Sequence, residues 1–295
     1  MNMRTWRRGS ALPFLAGVLV LGSAAGVRAE EVTKTFTVSG HARVKVETDD
    51  GSVRVSTGDI KQVEVRVIYS GYKLDKDLRV SATQSGDTVE VAAKTSNHIS
   101  VARYWCLFCV DPNAHLQVEV HMPKDADLTV SSGDGSVEAE SINGNLDVHT
   151  GDGSIAVQGA KGEIRLRTGD GSIEGRDLDG RVDVTTGDGH VNLEGRFDVL
   201  HIKTGDGSVT ARAHGGSKVQ SSWNIQTGDG SIDLELPGEI QANLDVSTHD
   251  GHISLGFPVT VEGTFSSSRI SGKMNGGGAP IMVRTGDGSI HLNKT

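Results

Sequence analysis

Carboxylates recur at a fixed spacing along this sequence, and stacked carboxylates can ligate Ca²⁺. A Thr/Ser-Gly-Asp-Gly tetrapeptide begins at Ser132, Thr150, Thr168, Thr186, Thr204, Thr227 and Thr285, and variants begin at Thr48 and Thr248. The aspartates of the first five copies are 18 residues apart: Asp134, Asp152, Asp170, Asp188 and Asp206. The last four of these are candidate calcium ligands. The alternative is turn chemistry, in which glycine takes a positive φ angle and aspartate hydrogen-bonds the backbone of its own turn. Turn chemistry is favoured, because each copy supplies one aspartate and lacks the nonapeptide pattern of calcium-binding β-rolls.

Histidines form a second set of candidate metal ligands. The variant copy continues as His249-Asp250-Gly251-His252, which places two imidazoles beside a carboxylate. Both groups coordinate metal ions. Histidines on turns are more often simply solvated, so we favour solvated side chains and keep His249 and His252 as candidates. No cofactor is predicted.

The two cysteines form a Cys-x-x-Cys pair at Cys106 and Cys109. In an oxidising compartment this pair is typical of a local disulfide. Redox activity requires a thiolate with a lowered pKa, for example at a helix N-terminus, and a four-thiolate zinc site requires a second pair. Neither is indicated here. The neighbouring aromatics Tyr104, Trp105 and Phe108 form either a contact patch or a cap over the end of the fold.

Acid pairs such as Asp177 and Asp179 invite comparison with glycosidases, which use two carboxyl groups. No long loop, however, gathers acids with arginines and aromatic platforms for a sugar. Serine, histidine and aspartate are so frequent in this chain that they do not indicate a catalytic triad. The sequence therefore predicts a protein that is not an enzyme.

The elements that carry these residues are β-strands. Apolar residues recur four and two positions before each threonine and three and five positions after each aspartate, a period of 2 typical of half-buried strands. Typical pairs are Leu146/Val148, Ile155/Val157 and Ile164/Leu166. Each unit is therefore a strand, a Gly-Asp-Gly turn, a second strand and a second turn such as residues 159–162.

Two architectures fit these units. An antiparallel meander of so many strands is rare and does not explain the 18-residue period. A β-solenoid (β-helix-like) does, because each unit forms one coil and equivalent positions stack about 4.8 Å apart. We predict an all-β solenoid, with the longer intervals after Asp206 as insertions between equal coils. Two outward columns alternate in charge, as stacked neighbours should: Glu140, Gln158, Arg176, Glu194, Arg212, Glu235; and Asp147, Arg165, Asp183, His201, Asn224, Asp245.

Three segments are predicted. Residues 1–29 resemble a secretory signal peptide, with a basic start at Arg4, Arg7 and Arg8, an apolar run over 11–25 and small residues at Val27 and Ala29. Residues 30–124 carry six expected strands between 42 and 122, and form an N-terminal β-region that caps the solenoid and contains the cysteine insertion. Residues 125–295 form the solenoid repeats. The expected location is the periplasm, the cell surface or the medium.

The net charge of the chain limits the kinds of partner that it can bind. The full chain has a net charge of −9, and removal of residues 1–29, which hold four arginines and no acid, takes it to −13. Such an acidic chain does not attract nucleic acid or anionic lipid electrostatically, so we expect neither as a partner, nor membrane insertion after signal cleavage.

The run from Val118 to Leu128, followed by Ser132-Gly133-Asp134-Gly135, resembles the "putative adhesin" family of exported bacterial β-strand-repeat proteins. The resemblance covers residues 40–292. It implies a cell-envelope location and an adhesive or surface role, and it supplies no catalytic residues. The favoured function is a non-catalytic adhesin or scaffold that binds an envelope glycan or a surface protein. The alternatives are a calcium- or ligand-binding module and a polysaccharide-acting β-helix enzyme.

Overall fold

A computed structural model describes residues 29–96 and 114–295 of the chain. Within these ranges all regular secondary structure is β-strand. The 23 strands belong to one hydrogen-bonded sheet. The strands are β1 (Glu30–Thr37), β2 (Ala42–Thr48), β3 (Ser52–Gly58), β4 (Gln62–Ser70), β5 (Leu78–Ser85), β6 (Thr88–Thr95), β7 (His115–Pro123), β8 (Ala126–Ser132), β9 (Val137–Glu140), β10 (Leu146–Thr150), β11 (Ile155–Gln158), β12 (Lys161–Thr168), β13 (Ile173–Thr185), β14 (Val191–Lys203), β15 (Val209–Ala213), β16 (Trp223–Gln226), β17 (Ile232–Leu236), β18 (Ala242–Asp250), β19 (Ile253–Leu255), β20 (Thr260–Phe265), β21 (Arg269–Met274), β22 (Pro280–Asp287) and β23 (Ile290–Lys294). None of the described segments forms a helix long and apolar enough to span a membrane.

Strands from successive repeats pair in parallel. On one side of the molecule Leu146 lies between Leu128 and Ile164, and on the other Ile155 lies between Val137 and Ile173. The strands before the Gly-Asp-Gly turns thus stack in one column and the strands after them in a second column. The chain is all-β and β-solenoid-like.

The alternation of side chains places the core between the two columns. The apolar pairs predicted to point inward are buried: Leu146, Val148, Ile155, Val157, Ile164 and Leu166 are each at most 3% exposed. Intervening residues point to solvent, as expected for a strand that is half-buried. The buried side chains form one cluster that extends from Phe36 to Leu292.

The order of the repeats in space differs from their order in the chain at both ends. At the N-terminal end, β2 pairs with β6 and β8, so the β2–β3 repeat lies between β6–β7 and β8–β9. At the C-terminal end, β22 pairs with β16 and β18, and β23 pairs with β17 and β19. The expectation that insertions separate repeats stacked in chain order is therefore wrong there, because the last repeat enters between two earlier ones.

Antiparallel strands lie beyond the parallel stack. The six strands expected before residue 124 are present as β2 to β7. Of these, β4 is antiparallel to β7 and to β1, and β5 is antiparallel to β6. At the opposite end β21 is antiparallel to β18, and β20 to β21.

Candidate functional site

The first residue of each motif is buried, and from Ser132 onward its hydroxyl hydrogen-bonds the turn of a neighbouring repeat. The Thr168 hydroxyl donates to the carbonyl oxygens of Gly151 (3.2 Å) and Gly153 (2.8 Å) in the preceding repeat. It also accepts the N–H of Gly171 in its own turn, at 3.2 Å. The same two-carbonyl contact is made by Thr150, Thr186, Thr204, Thr227, Thr248 and Thr285. The carbonyl of the second glycine has no backbone partner among the described hydrogen bonds and is satisfied by this hydroxyl, whereas the carbonyl of the first glycine also accepts a backbone N–H in most repeats, as Gly151 O does from Gly169.

The motif glycines are required by close contact between repeats. A Cβ on Gly151 would lie 2.6 Å from the Gly133 oxygen, and one on Gly205 would lie 2.6 Å from the Gly187 oxygen. Among the described motif glycines only Gly251 has a positive φ. The expected reason for these glycines is thus wrong, because backbone approach and not a left-handed conformation excludes a side chain. Positive φ occurs instead at the second turn, as at Gly159 (71°).

The motif aspartates form an exposed row along one edge of the stack. This row contains the four candidate calcium ligands, Asp152, Asp170, Asp188 and Asp206. Their carboxylates make no hydrogen bond to their own turns among the described contacts, so threonine and not aspartate closes the turn. In the described part of the chain, no three His, Cys, Asp or Glu side chains converge as a metal site would require.

At the end of this row, the pKa of Asp50 is raised. Partial burial raises the pKa of Asp50, and the charges of Asp134 and Asp49 raise it further.

Both histidine candidates lie on the surface. His249 and His252 are both exposed, and His252 Nδ1 lies 3.2 Å from Ser289 Oγ in the neighbouring repeat. The ring of His252 contacts His291 edge-on, with 6.1 Å between the ring centroids. The sequence does not indicate that His291 lies beside His252, because this contact depends on the insertion of β23 beside β19.

The two acids Asp177 and Asp179 have different surroundings. Asp177 is exposed with φ +53°, whereas Asp179 accepts a hydrogen bond from Arg196 Nε at 2.5 Å. Arg196 also donates to both oxygens of Asp198, at 2.7 and 3.1 Å, and these bonds hold the pKa of Asp198 below its usual value. Asp179, Arg196 and Asp198 thus form a structural ion-pair cluster, and Asp177 takes no part in it among the described contacts.

The outward columns carry ion pairs between repeats. Arg212 donates to both oxygens of Glu235, at 2.7 and 3.1 Å. Arg167 lies between Asp147 (3.6 Å) and Asp183 (3.9 Å) of the flanking repeats. These pairs are exposed and each contributes little stability, but together they order the outer surface.

Two shallow depressions meet on the outward face of the second column. Their volumes are about 170 and 300 Å³, and both are lined by Glu138 and Ala156. The depressions arise because Ala156 is short between the stacked Glu138 and Glu174. Gln158 and Glu140 line the first depression, and the described residues offer neither side chain a hydrogen-bond or ionic partner.

The ionic groups around Ala156 are partly satisfied within the face. Arg54 Nε donates to Glu138 at 2.8 Å, and Arg176 pairs with Glu174. A bound molecule would therefore find free hydrogen-bonding groups beside charges that are already paired.

The remaining predicted sites lie outside the described residues. These are the proposed disulfide of Cys106 and Cys109 and the aromatic residues Tyr104, Trp105 and Phe108. The predicted signal peptide also lies outside them, apart from Ala29.

One known protein family matches most of the chain. The family described as Toastrack DUF4097 matches residues 41–293. The chain belongs to this family. The match confirms the family resemblance predicted from the repeat, and the Toastrack chain is thereby one of a group of β-repeat domains of unknown function. No curated protein matches it.

Solved structures similar to this chain include proteins from the genera Clostridium, Bacteroides and Parabacteroides. One is a putative cell adhesion protein from Clostridium sporogenes, with 13% identity, a TM-score of 0.33 and coverage of 91% of this chain and 100% of the other. Another is a putative adhesin from Bacteroides fragilis, with 10% identity, a TM-score of 0.42 and coverage of 90% and 97%. A third is a putative lipid binding protein from Parabacteroides distasonis, with 13% identity, a TM-score of 0.48 and coverage of 90% and 96%.

Proposed function

We propose that this Toastrack chain is a non-catalytic, exported cell-envelope protein with an adhesin-like or scaffold role. The observation that supports this proposal is the outer surface, where ion pairs repeat along the columns and the depressions at Ala156 are shallow. An enzyme gathers an acid, a base and a pocket at one place. A binding surface requires only an ordered face with accessible polar groups.

The proposed architecture is suited to an adhesin-like or scaffold role. Each 18-residue unit is one coil, residues 30–124 begin and cap the stack, and residues 1–29 are removed on export. Stacked coils make a stiff rod, because each coil is held by hydrogen bonds and apolar contacts to both neighbours. A stiff rod presents its face without a conformational change.

The proposed partner is an envelope glycan or a surface protein that contacts the face around Ala156. The Gln158 amide and the Glu140 carboxylate can hydrogen-bond hydroxyl groups, and Ser136 and Ser154 line the adjoining depression. A glycan offers many hydroxyls, each of which both donates and accepts. The shallow shape predicts that each single contact is weak and that several simultaneous contacts give a higher overall affinity.

A glycan and matrix-protein array with residues 30–295 tests this proposal. Ala156→Gln should fill the depression and weaken binding, whereas Thr210→Gln is a matched control at an exposed position of the same column. Binding that is lost in Ala156→Gln and retained in Thr210→Gln supports the site. Absence of binding to any array component contradicts the adhesin-like role, and hydrolysis of an envelope polysaccharide overturns the non-catalytic assignment.

Two roles are proposed for the aromatic residues of the insertion: a contact patch, or a cap over the end of the solenoid. Replacing both Tyr104 and Trp105 with alanine separates a contact patch from a cap. Lost binding with unchanged melting indicates a patch, and lost stability indicates that these side chains cover the end of the solenoid.

A further inference from the structure

The repeat formed by β22 and β23, residues 280–294, is an internal layer of the stack. Ile281 pairs with Trp223 on one side and with Leu244 on the other. Among the described strands, β18 to β21 have no pairing with the rest of the stack except through β22 and β23. The outermost unit is therefore attached to the other repeats by this layer and by the chain segment 237–241.

The space that this layer fills is selective for a repeat of the same kind. Thr285 donates to the carbonyls of Gly228 (3.3 Å) and Gly230 (2.7 Å) on one side. On the other side Thr248 donates to the carbonyls of Gly286 (3.3 Å) and Gly288 (2.8 Å). Four inward side chains are fully buried: Ile281, Val283, Ile290 and Leu292. An occupant thus needs a Thr-Gly-Asp-Gly turn between two alternating apolar strands.

The segment that leads into this layer is rich in glycine. It passes from β21, on one side of β18, to β22 on the other side, with positive φ at Asn275 (47°), Gly276 (90°) and Gly277 (87°). The segment also passes close to the backbone that precedes β18, since a Cβ on Gly278 would lie 2.6 Å from the Gln241 oxygen. Glycine reaches many backbone conformations at little cost, so a more extended path is accessible to this hinge.

We propose that β22–β23 is an exchangeable layer, and that a second copy of this chain can supply it in place of the chain's own. The contacts are the same whichever copy donates the layer, so a closed two-fold exchange changes only the hinge and the entropy of association. The two copies then hold each other through two fully formed internal layers.

Cysteine trapping between two differently tagged, co-expressed full-length copies tests the exchange. One copy carries Ser247→Cys and the other carries Arg284→Cys, two positions that face each other in the β18–β22 pair. The native cysteines are replaced by serine in both copies. A covalent dimer that contains both tags forms when β22 of one copy lies beside β18 of the other, because adjacent strands bring Cα atoms within disulfide range.

The matched control is a second pair of copies with Asp147→Cys and Arg165→Cys, which are neighbours in the β10–β12 pair of two internal repeats. We expect several-fold more mixed dimer from the first pair than from this control. Equal yields overturn the proposal. A copy carrying both Ser247→Cys and Arg284→Cys should form this bond either within one chain or between two exchanged copies. If the bond forms in neither way, the proposal is also overturned, because the two strands are then not neighbours.

Discussion

Replacing Gly189 with alanine tests whether contact between repeats is what requires the motif glycines. The φ angle of Gly189 lies outside the positive range, so alanine carries no conformational penalty of its own there. The added Cβ would lie 2.5 Å from the carbonyl carbon of Gly171, closer still to its oxygen, and 2.9 Å from Thr186 Oγ1. The contacting carbonyl belongs to backbone, which cannot rotate away as a side chain can.

The destabilisation follows from the contacts that must open. The repeats have to separate locally, which weakens the hydrogen bonds of Thr186 Oγ1 to Gly171 O (2.9 Å) and of Gly189 N to Thr186 Oγ1 (3.3 Å). Two such bonds and the overpacking together cost about 2–6 kcal/mol of unfolding free energy. For a chain of this size the melting temperature should fall by roughly 5–20 °C.

Thermal unfolding followed by circular dichroism measures the effect, with Gly215→Ala as the control. A Cβ on Gly215 would meet only Glu239 Oε1, at an ordinary 3.5 Å, so this variant should melt within a few degrees of the parent. If Gly189→Ala and Gly215→Ala melt alike, the explanation of the glycine rows by backbone contact is refuted.

Three further predictions concern stability and covalent state. Thr168→Val should lower the unfolding free energy by about 1–3 kcal/mol in chemical denaturation, because it leaves buried backbone groups without a partner, and Thr168→Ser should recover most of the loss; equal effects of the two variants would argue against the hydroxyl. Burial raises the pKa of Tyr69 to about 12, so the unfolded phenol ionises first and stability should fall as pH rises from about 10 to about 12. Tyr69→Phe should flatten that decline in alkaline melting curves, and an unchanged slope would contradict the assignment. Intact mass after alkylation, with and without reduction, should show Cys106 and Cys109 joined, and two free thiols in protein from its native compartment would contradict this.

Local rules predicted the strands and the inward side chains. A period of 2 around each motif assigns Ile155 and Leu166 to the core, and the structure buries both. The six strands of the N-terminal region were predicted for the same reason, since alternation depends only on residues close in the chain. One feature of the sequence could have predicted the shallow depression: position 156 is an alanine in a column of longer polar residues.

Tertiary structure decided what equal repeats leave open. Each Thr-Gly-Asp-Gly repeat offers nearly the same edge, so local pattern does not select which repeat lies beside which, and the path of the connecting segments placed β22–β23 between two earlier repeats. That placement brought His291 to His252 and set Met282 between Asn224 and Asp245 in a column expected to be continuous. The reason for the motif glycines was also tertiary, because the carbonyl that excludes a side chain at Gly151 belongs to Gly133, 18 residues earlier in the chain.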